Sequence, residues 1–177
     1  RGEVRDILGD EDGIVWVATY GGGVGRLRQG RVAPLTVQDG LPDNSVSRMI
    51  LDRRGRMWIS TNRGLAIVDR SRMLEVTEGR APTLEPVVLG TESGVPEANF
   101  GGPAGAADAD GRLWFGTIDG VVVVDSEAFP FNTRPPAVRV DDIRAGDRSL
   151  PMAPVVQVPA LTARLRISFT SFELLYP

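Results

Sequence analysis

The stretch Asp52-Arg-Arg-Gly55-Arg-Met-Trp58-Ile-Ser-Thr61-Asn-Arg-Gly64 decides the fold, because the same frame occurs three times in the chain. The frame places Asp, Gly, Trp, Thr and Gly at fixed spacing, and all three tryptophans of the protein fall on its third position. The other two copies are Asp10, Gly13, Trp16, Thr19 and Gly22, and Asp108, Gly111, Trp114, Thr117 and Gly120. Five matched positions in three copies indicate an internal repeat.

The spacing of the tryptophans gives the period of this repeat. Trp58 follows Trp16 by 42 residues, and Trp114 follows Trp58 by 56 because a Pro-containing insertion near residues 78–88 lengthens the second unit. A period of about 40 to 45 residues with one Trp in each unit is typical of a β-propeller blade, a sheet of four short antiparallel strands. The sequence therefore predicts about three propeller blades.

Turn residues locate the strands within each unit. In the second unit, Asp and Gly at turn positions separate predicted strands at residues 46–51, 57–60 and 65–68. In the third unit, residues 121–124 are four consecutive valines, which predicts a strand buried on both faces between stacked blades. Each Trp is expected to pack against the neighbouring blade. With 21 Gly and 13 Pro in 177 residues, little helix is expected.

Composition excludes several functional classes. A net charge of −3 argues against a nucleic-acid partner, which needs a basic surface. The chain has no Cys, His or Lys, so it lacks the usual zinc, haem and iron–sulfur ligands, a thiol nucleophile and an imidazole base. A glycosidase needs two carboxylates across a cleft, and no pair stands out in the sequence: Asp141 and Asp142 are adjacent on a predicted strand and point to opposite faces. We therefore predict no catalytic residue, no metal site and no cofactor.

Two motifs need a choice between interpretations. The glycine-rich stretch that begins at Tyr20 lacks the third fingerprint glycine and the Lys of phosphate-binding loops, so a turn between strands is favoured. The Asp-x-Asp-Gly stretches at Asp10 and Asp108 resemble calcium loops, but their Gly comes fourth rather than sixth. Because Asp52 holds the same position without a second carboxylate, turn capping is favoured. A weak cation site stays open as the alternative.

A second repeated element precedes the frame. Gly40-Leu41-Pro42-Asp43-Asn44 comes before the second copy, and a related Gly-Val-Pro stretch begins at Gly94 before the third. Together with the Trp frame, this element resembles the two-component regulator propeller repeat over residues 1 to about 125. The resemblance implies an extracytoplasmic sensor domain of a bacterial hybrid histidine kinase or a related signalling protein. It also implies a location on the periplasmic side of the inner membrane.

The pattern changes after a stiff Arg134-Pro-Pro136 stretch. Residues 137–140 and 155–158 are candidate strands, and residues 161–170 alternate between apolar and polar side chains, which predicts a half-buried strand. This segment resembles the start of the triple-tyrosine (YYY) domain, an immunoglobulin-like sandwich. The predicted fold is therefore all-β. A partial propeller spans residues 1–134, with blades at roughly 1–43, 44–98 and 99–134, and a truncated sandwich spans residues 135–177.

Candidate binding residues follow from blade topology. In an antiparallel blade, the turn between the second and third strands and the crossover to the next blade lie at the same rim. The polar side chains predicted at this shared rim are Tyr20, Asn62, Arg63, Asp119, Asp43, Asn44, Glu97 and Asn99. They suit a saccharide, a peptide or another small extracellular ligand. The alternative is that they are solvated turn residues.

The expected function is that of a sensor or ligand-binding fragment of a bacterial two-component or related signalling protein. A propeller scaffold for protein partners without a signalling role is the alternative, and a propeller lyase or hydrolase is a third. Three blades do not close a propeller, so we expect a fragment of a larger protein that self-associates through its open edges. A membrane partner is expected only through segments absent from this sequence.

Overall fold

The computed structural model describes residues 2–95, 105–129 and 137–172. The chain divides into two compact units, Arg1–Phe129 and Pro130–Pro177. Four antiparallel sheets of three or four strands make up nearly all of the regular structure, so the all-β prediction is confirmed. The predicted boundaries at 98/99 and 134/135 lie outside the described residues, and the predicted domain limits stay predictions.

The first two sheets of the first unit are four-stranded meanders in which each strand pairs with the next in the chain. The first contains β1 (Glu3–Gly9), β2 (Val15–Tyr20), β3 (Gly23–Arg28) and β4 (Arg31–Leu35). The second contains β5 (Val46–Leu51), β6 (Arg56–Thr61), β7 (Gly64–Asp69) and β8 (Val87–Leu89). The three strands predicted in the second unit are thus confirmed, two of them one residue longer at each end.

The third sheet is shorter and partly open to solvent. Its described strands are β9 (Gly105–Ala107), β10 (Arg112–Thr117) and β11 (Gly120–Asp125). The prediction that β11 is buried on both faces is wrong, because Val121 and Val123 are exposed. A continuous apolar run becomes buried only where a neighbouring sheet covers it, and no sheet of the described residues covers this face of β11.

The core of the first unit lies between successive sheets. Trp16 and Ala18 of the first sheet share one buried cluster with Met49, Met57 and Ile59 of the second. Fully burying a side chain of this size stabilises the fold by about 1.5–3 kcal/mol. The sheets are therefore held together by their apolar faces, as expected for stacked blades.

Polar contacts also join the first two sheets. The carboxylate of Asp6 in β1 accepts hydrogen bonds from the Met49 backbone at 2.8 Å and from the Arg48 guanidinium at 2.9 Å. Both donors belong to β5, so the single buried side chain of Asp6 links the innermost strands of two successive sheets.

The connection between β7 and β8 contains a helix that the sequence did not predict. Helix α1 spans Arg70–Thr77 and follows β7 directly, before a loop that leads to β8. Short 3₁₀ helices occur in both crossovers, at Val37–Asp39 and Thr91–Ser93. The rest of the first crossover, residues 40–45 between the 3₁₀ helix and β5, is a loop.

The described part of the second unit is a single sheet. It contains β12 (Ala137–Ala145), β13 (Arg148–Ser149) and β14 (Leu165–Phe172), with β12 in the middle. No strand forms at residues 155–158, and the strand predicted at 161–170 begins only at Leu165. The expected half-burial is wrong, since Leu165, Ile167 and Phe169 are exposed. A sandwich needs a second sheet over this face, and residues 137–172 form one sheet, so the YYY assignment stays a prediction.

Candidate functional site

The repeated frame forms the same hydrogen-bonded unit in all three sheets. One carboxylate oxygen of the leading Asp accepts two backbone N–H groups of the turn that follows. The other oxygen accepts the indole N–H of the frame Trp, at 3.0 Å for Trp16, 2.8 Å for Trp58 and 2.9 Å for Trp114. Turn capping by Asp is therefore confirmed. The sequence analysis missed the indole bond, although the constant spacing of six residues was a signal for it.

The last glycine of the frame lies at a different position in the first unit than the sequence predicted. The Thr hydroxyl of each frame donates to a glycine carbonyl, and the acceptors are Gly23, Gly64 and Gly120. The first unit therefore uses Gly23 rather than Gly22, because its turn contains one extra residue. Gly23 and Gly64 both have positive φ, and a Cβ at either position would collide with a backbone carbonyl of the following strand. Only glycine fits at this close approach.

An arginine side chain stabilises each of the two buried frame carboxylates, and the two arginines lie at different places in the fold. In the second sheet, Arg56 donates to Asp52 at 2.7 Å from within the same strand pair. In the first sheet, the equivalent position is the apolar Ile14, and Arg70 at the start of α1 reaches across from the second sheet to Asp10 at 2.9 Å. Burial alone would raise the pKa of Asp10. Hydrogen bonds from Arg70, the Ile14 backbone and Trp16 outweigh burial and lower that pKa below its ordinary value.

Burial separates the third Trp from the other two. Trp16 and Trp58 are fully buried, and Trp58 also makes an edge-to-face contact with Phe129 at 5.5 Å between ring centroids. Trp114 is exposed, so the expected packing against a neighbouring blade is confirmed for the first two rings and not seen for the third. A buried Trp whose N–H is satisfied by a capping carboxylate acts as part of the core. We infer that the frame residues are structural.

The predicted rim exists where the first turn meets the first crossover. The backbone carbonyl of Asn44 accepts the N–H groups of Gly21 at 3.0 Å and Gly23 at 2.8 Å. Tyr20 and Ser45 form an isolated β-bridge beside them. The glycine-rich stretch is therefore a turn between β2 and β3 that is fastened to the crossover, which is the interpretation that the sequence favoured.

The predicted rim residues divide into two groups. Asn44 and Asp43 have structural bonds, since their side chains accept the backbone N–H groups of Val37 at 2.9 Å and Ser45 at 2.8 Å. In the part of the chain that the structure describes, Asn62, Arg63 and Asp119 lie in the corresponding turns of the second and third sheets with no side-chain hydrogen bond.

Tyr20 is different again, because it is exposed and the Arg5 guanidinium lies 5.2 Å from its ring centroid. Glu97 and Asn99 lie outside the described residues. Among the described residues of the predicted set, the side chains without a hydrogen bond to a described residue are therefore those of the turns, and those of the first crossover are bonded.

The opposite rim holds a cleft that the sequence analysis did not single out. A cavity of about 470 Å³ lies between the turns that precede β2 and β6. Its charged lining residues are Asp10, Glu11, Asp12, Asp52, Arg53 and Arg70. Arg70 pairs with both Asp10 and Asp12, so one guanidinium offsets part of the negative charge of these two carboxylates. The cleft is thus an ion-pair network between sheets.

The second unit has a smaller, basic cavity. It has a volume of about 400 Å³ and is lined by Arg144, Gly146, Asp147, Ala163, Arg164 and Arg166. Arg144 and Arg166 stand directly opposite each other on β12 and β14, and Arg144 also pairs with Asp142 at 2.9 Å. All three arginine side chains are exposed.

No group of three or more Asp or Glu side chains suited to a metal ion occurs among the described residues. Within the same residues, no helix has the length and apolarity needed to cross a bilayer.

Two stretches of the chain match the two-component regulator propeller family. They are residues 1–21 and 40–63, which contain β1, β2, the first crossover, β5 and β6. These stretches include the first two Asp–Trp pairs described above. No curated protein sequence matches the chain significantly.

Solved structures support the same architecture. A crystal structure of the extracellular domain of the hybrid two-component system BT4673 from B. thetaiotaomicron superposes with a TM-score of 0.55 at 17% identity, over 93% of this chain and 23% of that one. A second structure of that domain, described as belonging to a one-component system, gives a TM-score of 0.52 at 18% identity, over 95% and 23%. The chain thus spans about a quarter of the length of these structures. At this identity, the likeness concerns the fold.

Proposed function

We propose that the chain is part of the extracytoplasmic sensory region of a bacterial two-component or related signalling protein, on the periplasmic side of the inner membrane. The observation that carries this proposal is the family match over the first two Asp–Trp units, which the structure stacks face to face. The similarity to extracellular domains of hybrid two-component proteins supports it. In this proposal the chain binds and transmits, and no residue has a catalytic role.

The proposed ligand site is the rim formed by the turns after β2, β6 and β10. Tyr20 offers an exposed aromatic ring, and Asn62, Arg63 and Asp119 offer side-chain groups that form no hydrogen bond with another described residue. A flat aromatic surface beside amide, guanidinium and carboxylate groups suits an oligosaccharide, whose rings have apolar faces and many hydroxyls. Asp43 and Asn44 hold the rim in place from the crossover.

An oligosaccharide array tests this proposal. The fluorescently labelled 177-residue chain is applied to an array of neutral and acidic oligosaccharides, and any binder is then titrated by calorimetry. The double variant N62A/R63A is expected to lose at least tenfold in affinity at unchanged stability. Arg31→Ala is the matched control, because Arg31 is exposed at the first position of β4, beside the β3–β4 turn at the opposite rim. Equal affinity of both variants for a confirmed binder, or absence of any binder on the array, would contradict the rim site.

One observation favours the alternative, a scaffold that binds protein partners. Ile118, in the rim turn of the third sheet, is exposed next to Asp119. An exposed aliphatic side chain beside polar groups resembles the centre of a small protein contact more than a sugar subsite. In cells that signal through the full-length protein, Ile118→Asp would abolish the output under this alternative and leave it intact under the oligosaccharide proposal.

A further inference from the structure

Three arginines line the cavity of the second unit, and the strand register places two of them side by side. Arg144 of β12 stands directly opposite Arg166 of β14. The Cβ atoms of directly opposed residues in an antiparallel pair lie about 4.5–5.5 Å apart, so the two guanidinium groups extend from neighbouring points of one face. The carbonyl of Arg164 accepts the Gly146 N–H at 2.8 Å, which continues the strand pairing as far as the turn beside the cavity. The backbone therefore gathers three positive charges around a cavity of about 400 Å³.

This positive charge is only partly balanced within the fold. Like charges that stand directly opposite each other destabilise a pair of strands. Arg144 uses its Nε to pair with Asp142 at 2.9 Å, whereas the side chains of Arg164 and Arg166 form no ion pair or hydrogen bond with another described residue. Asp147 also lines the cavity, but it pairs with none of the three arginines. The cavity thus has an excess of positive charge, and two of its guanidinium groups have donors available for a ligand.

The arginines lie on the polar face of this sheet. Side chains alternate along a strand, so Arg166 shares its face with Ser168, while Leu165 and Ile167 lie on the other face. Because Arg144 stands directly opposite Arg166, it belongs to the polar face as well. The apolar face is the one suited to pack against another layer of structure. The cavity therefore lies on the face suited to contact with solvent and solutes.

We propose that this cavity binds a tetrahedral oxyanion, the phosphate group of a soluble small molecule, between Arg144 and Arg166. A guanidinium group donates two parallel hydrogen bonds to an oxyanion. One arginine in this mode occupies both oxygens of a carboxylate, whereas a phosphate has further oxygens for a second arginine. A phosphate monoester also carries a charge of about −1.5 to −2 at pH 7, so it offsets the repulsion between the opposed arginines. Arg164 adds a third positive charge at the same cavity.

Titration of the 177-residue chain with inorganic phosphate, at constant ionic strength, tests this inference. The Nε–Hε NMR resonances of Arg144 and Arg166 are expected to shift and to saturate. Arg166→Gln is expected to weaken phosphate binding about tenfold or more, because it removes charged donors. In phosphate-free buffer the same variant should keep its circular dichroism spectrum and unfold at the same temperature or a higher one, because the like-charge contact is gone.

Two further variants separate geometry and position from net charge. Arg166→Lys keeps the charge but loses the planar donor pair, so its affinity for phosphate should lie between those of the original chain and Arg166→Gln. Arg148→Gln is the matched control. Arg148 is exposed and stands opposite Ala145, so it lies on the other face of the same hairpin. This control removes one positive charge and should bind phosphate as the original chain does.

Glucose 6-phosphate distinguishes the two sources of the anion. Clearly tighter binding of this ester than of inorganic phosphate would assign the cavity to a phosphorylated organic solute, and equal affinities would assign it to the free anion. The double variant N62A/R63A alters only the first unit and should bind phosphate unchanged. The result is therefore independent of the proposed oligosaccharide site.

Three results would overturn the inference. The first is the absence of a saturable shift with either phosphate compound at millimolar concentration. The second is an equal loss of affinity in Arg166→Gln and Arg148→Gln, which would mean that the response follows net charge. The third is binding of the chain to phosphatidylglycerol vesicles without any response to the soluble phosphates, which would make the arginines a membrane contact.

Discussion

The carboxylate of Asp52 accepts the indole N–H of Trp58 at 2.8 Å, and both side chains are buried. The same oxygen accepts Arg56 at 2.7 Å, so the acid has a full set of donors inside the core. The first and third sheets repeat the Asp–Trp bond. The same hydrogen-bonded unit therefore fixes the turn before β2, β6 and β10 and orients the Trp ring in each sheet.

Replacing the ring of Trp58 tests the importance of this bond. Trp58→Phe keeps an aromatic ring but removes the N–H donor and leaves unfilled volume, and we expect it to lower the free energy of unfolding by about 1–3 kcal/mol. Trp114→Phe is the matched control and should cost much less, because that ring is exposed. Urea unfolding, followed by the fluorescence of the remaining tryptophans, measures both. Equal losses at the two positions would contradict the structural role.

Acid should weaken the first unit through Asp10. The folded-state pKa of Asp10 lies below its unfolded value, so the stabilisation that it supplies is complete above the unfolded pKa of about 3.9 and is lost as the pH falls through the folded pKa. Between pH 7 and pH 3 the original chain should therefore lose more stability than Asp10→Asn. Asp119→Asn, at an exposed turn, should follow the original chain. A parallel loss in Asp10→Asn would exclude this origin of acid sensitivity.

The ion pair between Arg70 and Asp10 should couple the first two sheets. In a double-mutant cycle with R70Q and D10N, we expect a coupling free energy of about 1 kcal/mol or more, because the Asp10 side chain is buried and hydrogen-bonded. The pair between Arg54 and Glu127, 3.0 Å apart and exposed, serves as the control and should give less than about 0.5 kcal/mol. A coupling no larger than that of the control would mean that α1 is not fastened through Arg70.

The close approach at Gly23 should distinguish it from other glycines with positive φ. Gly23→Ala adds a Cβ that would collide with the backbone carbonyl of Leu35, whereas Gly13 has similar φ and open space around it. Both alanine variants incur conformational strain of about 1 kcal/mol, and only Gly23→Ala must also displace β4. Thermal unfolding should show a clearly larger decrease in Tm for Gly23→Ala. Similar decreases would mean that β4 moves without cost.

The sequence predicted the repeated sheets because turn residues and the Trp frame are local signals. It placed β5, β6 and β7 nearly to the residue, since Asp52, Gly55 and Gly64 mark the ends of these strands. Helix α1 was missed because Met73 is its only fully buried residue, so no apolar periodicity marks it.

Exposure of the third sheet could not be predicted, because it depends on what covers a face rather than on the residues of the strand. The four consecutive valines of β11 predict a strand that is buried on both faces, but only a neighbouring sheet can bury them. The turn after β2 and the first crossover meet as predicted, because the carbonyl of Asn44 accepts hydrogen bonds from the turn. The bond from the Val37 backbone to the Asn44 side chain could not be predicted, because a polar loop residue in the sequence does not show which group it binds. The turn residues Asn62 and Arg63 thereby stay the stronger candidates for ligand contact.

A series of Asp→Asn variants at the three frame positions tests the central claim. The claim is that an Asp–Trp hydrogen bond stabilises each sheet, and that this bond contributes more where it is buried. Urea unfolding of dilute protein is expected to rank the losses as Asp52, then Asp10, then Asp108, with about 3–5 kcal/mol at Asp52, because Asp52→Asn removes the carboxylate that balances the buried charge of Arg56. Equal losses at all three positions, or the largest loss at the exposed Asp108, would contradict the account.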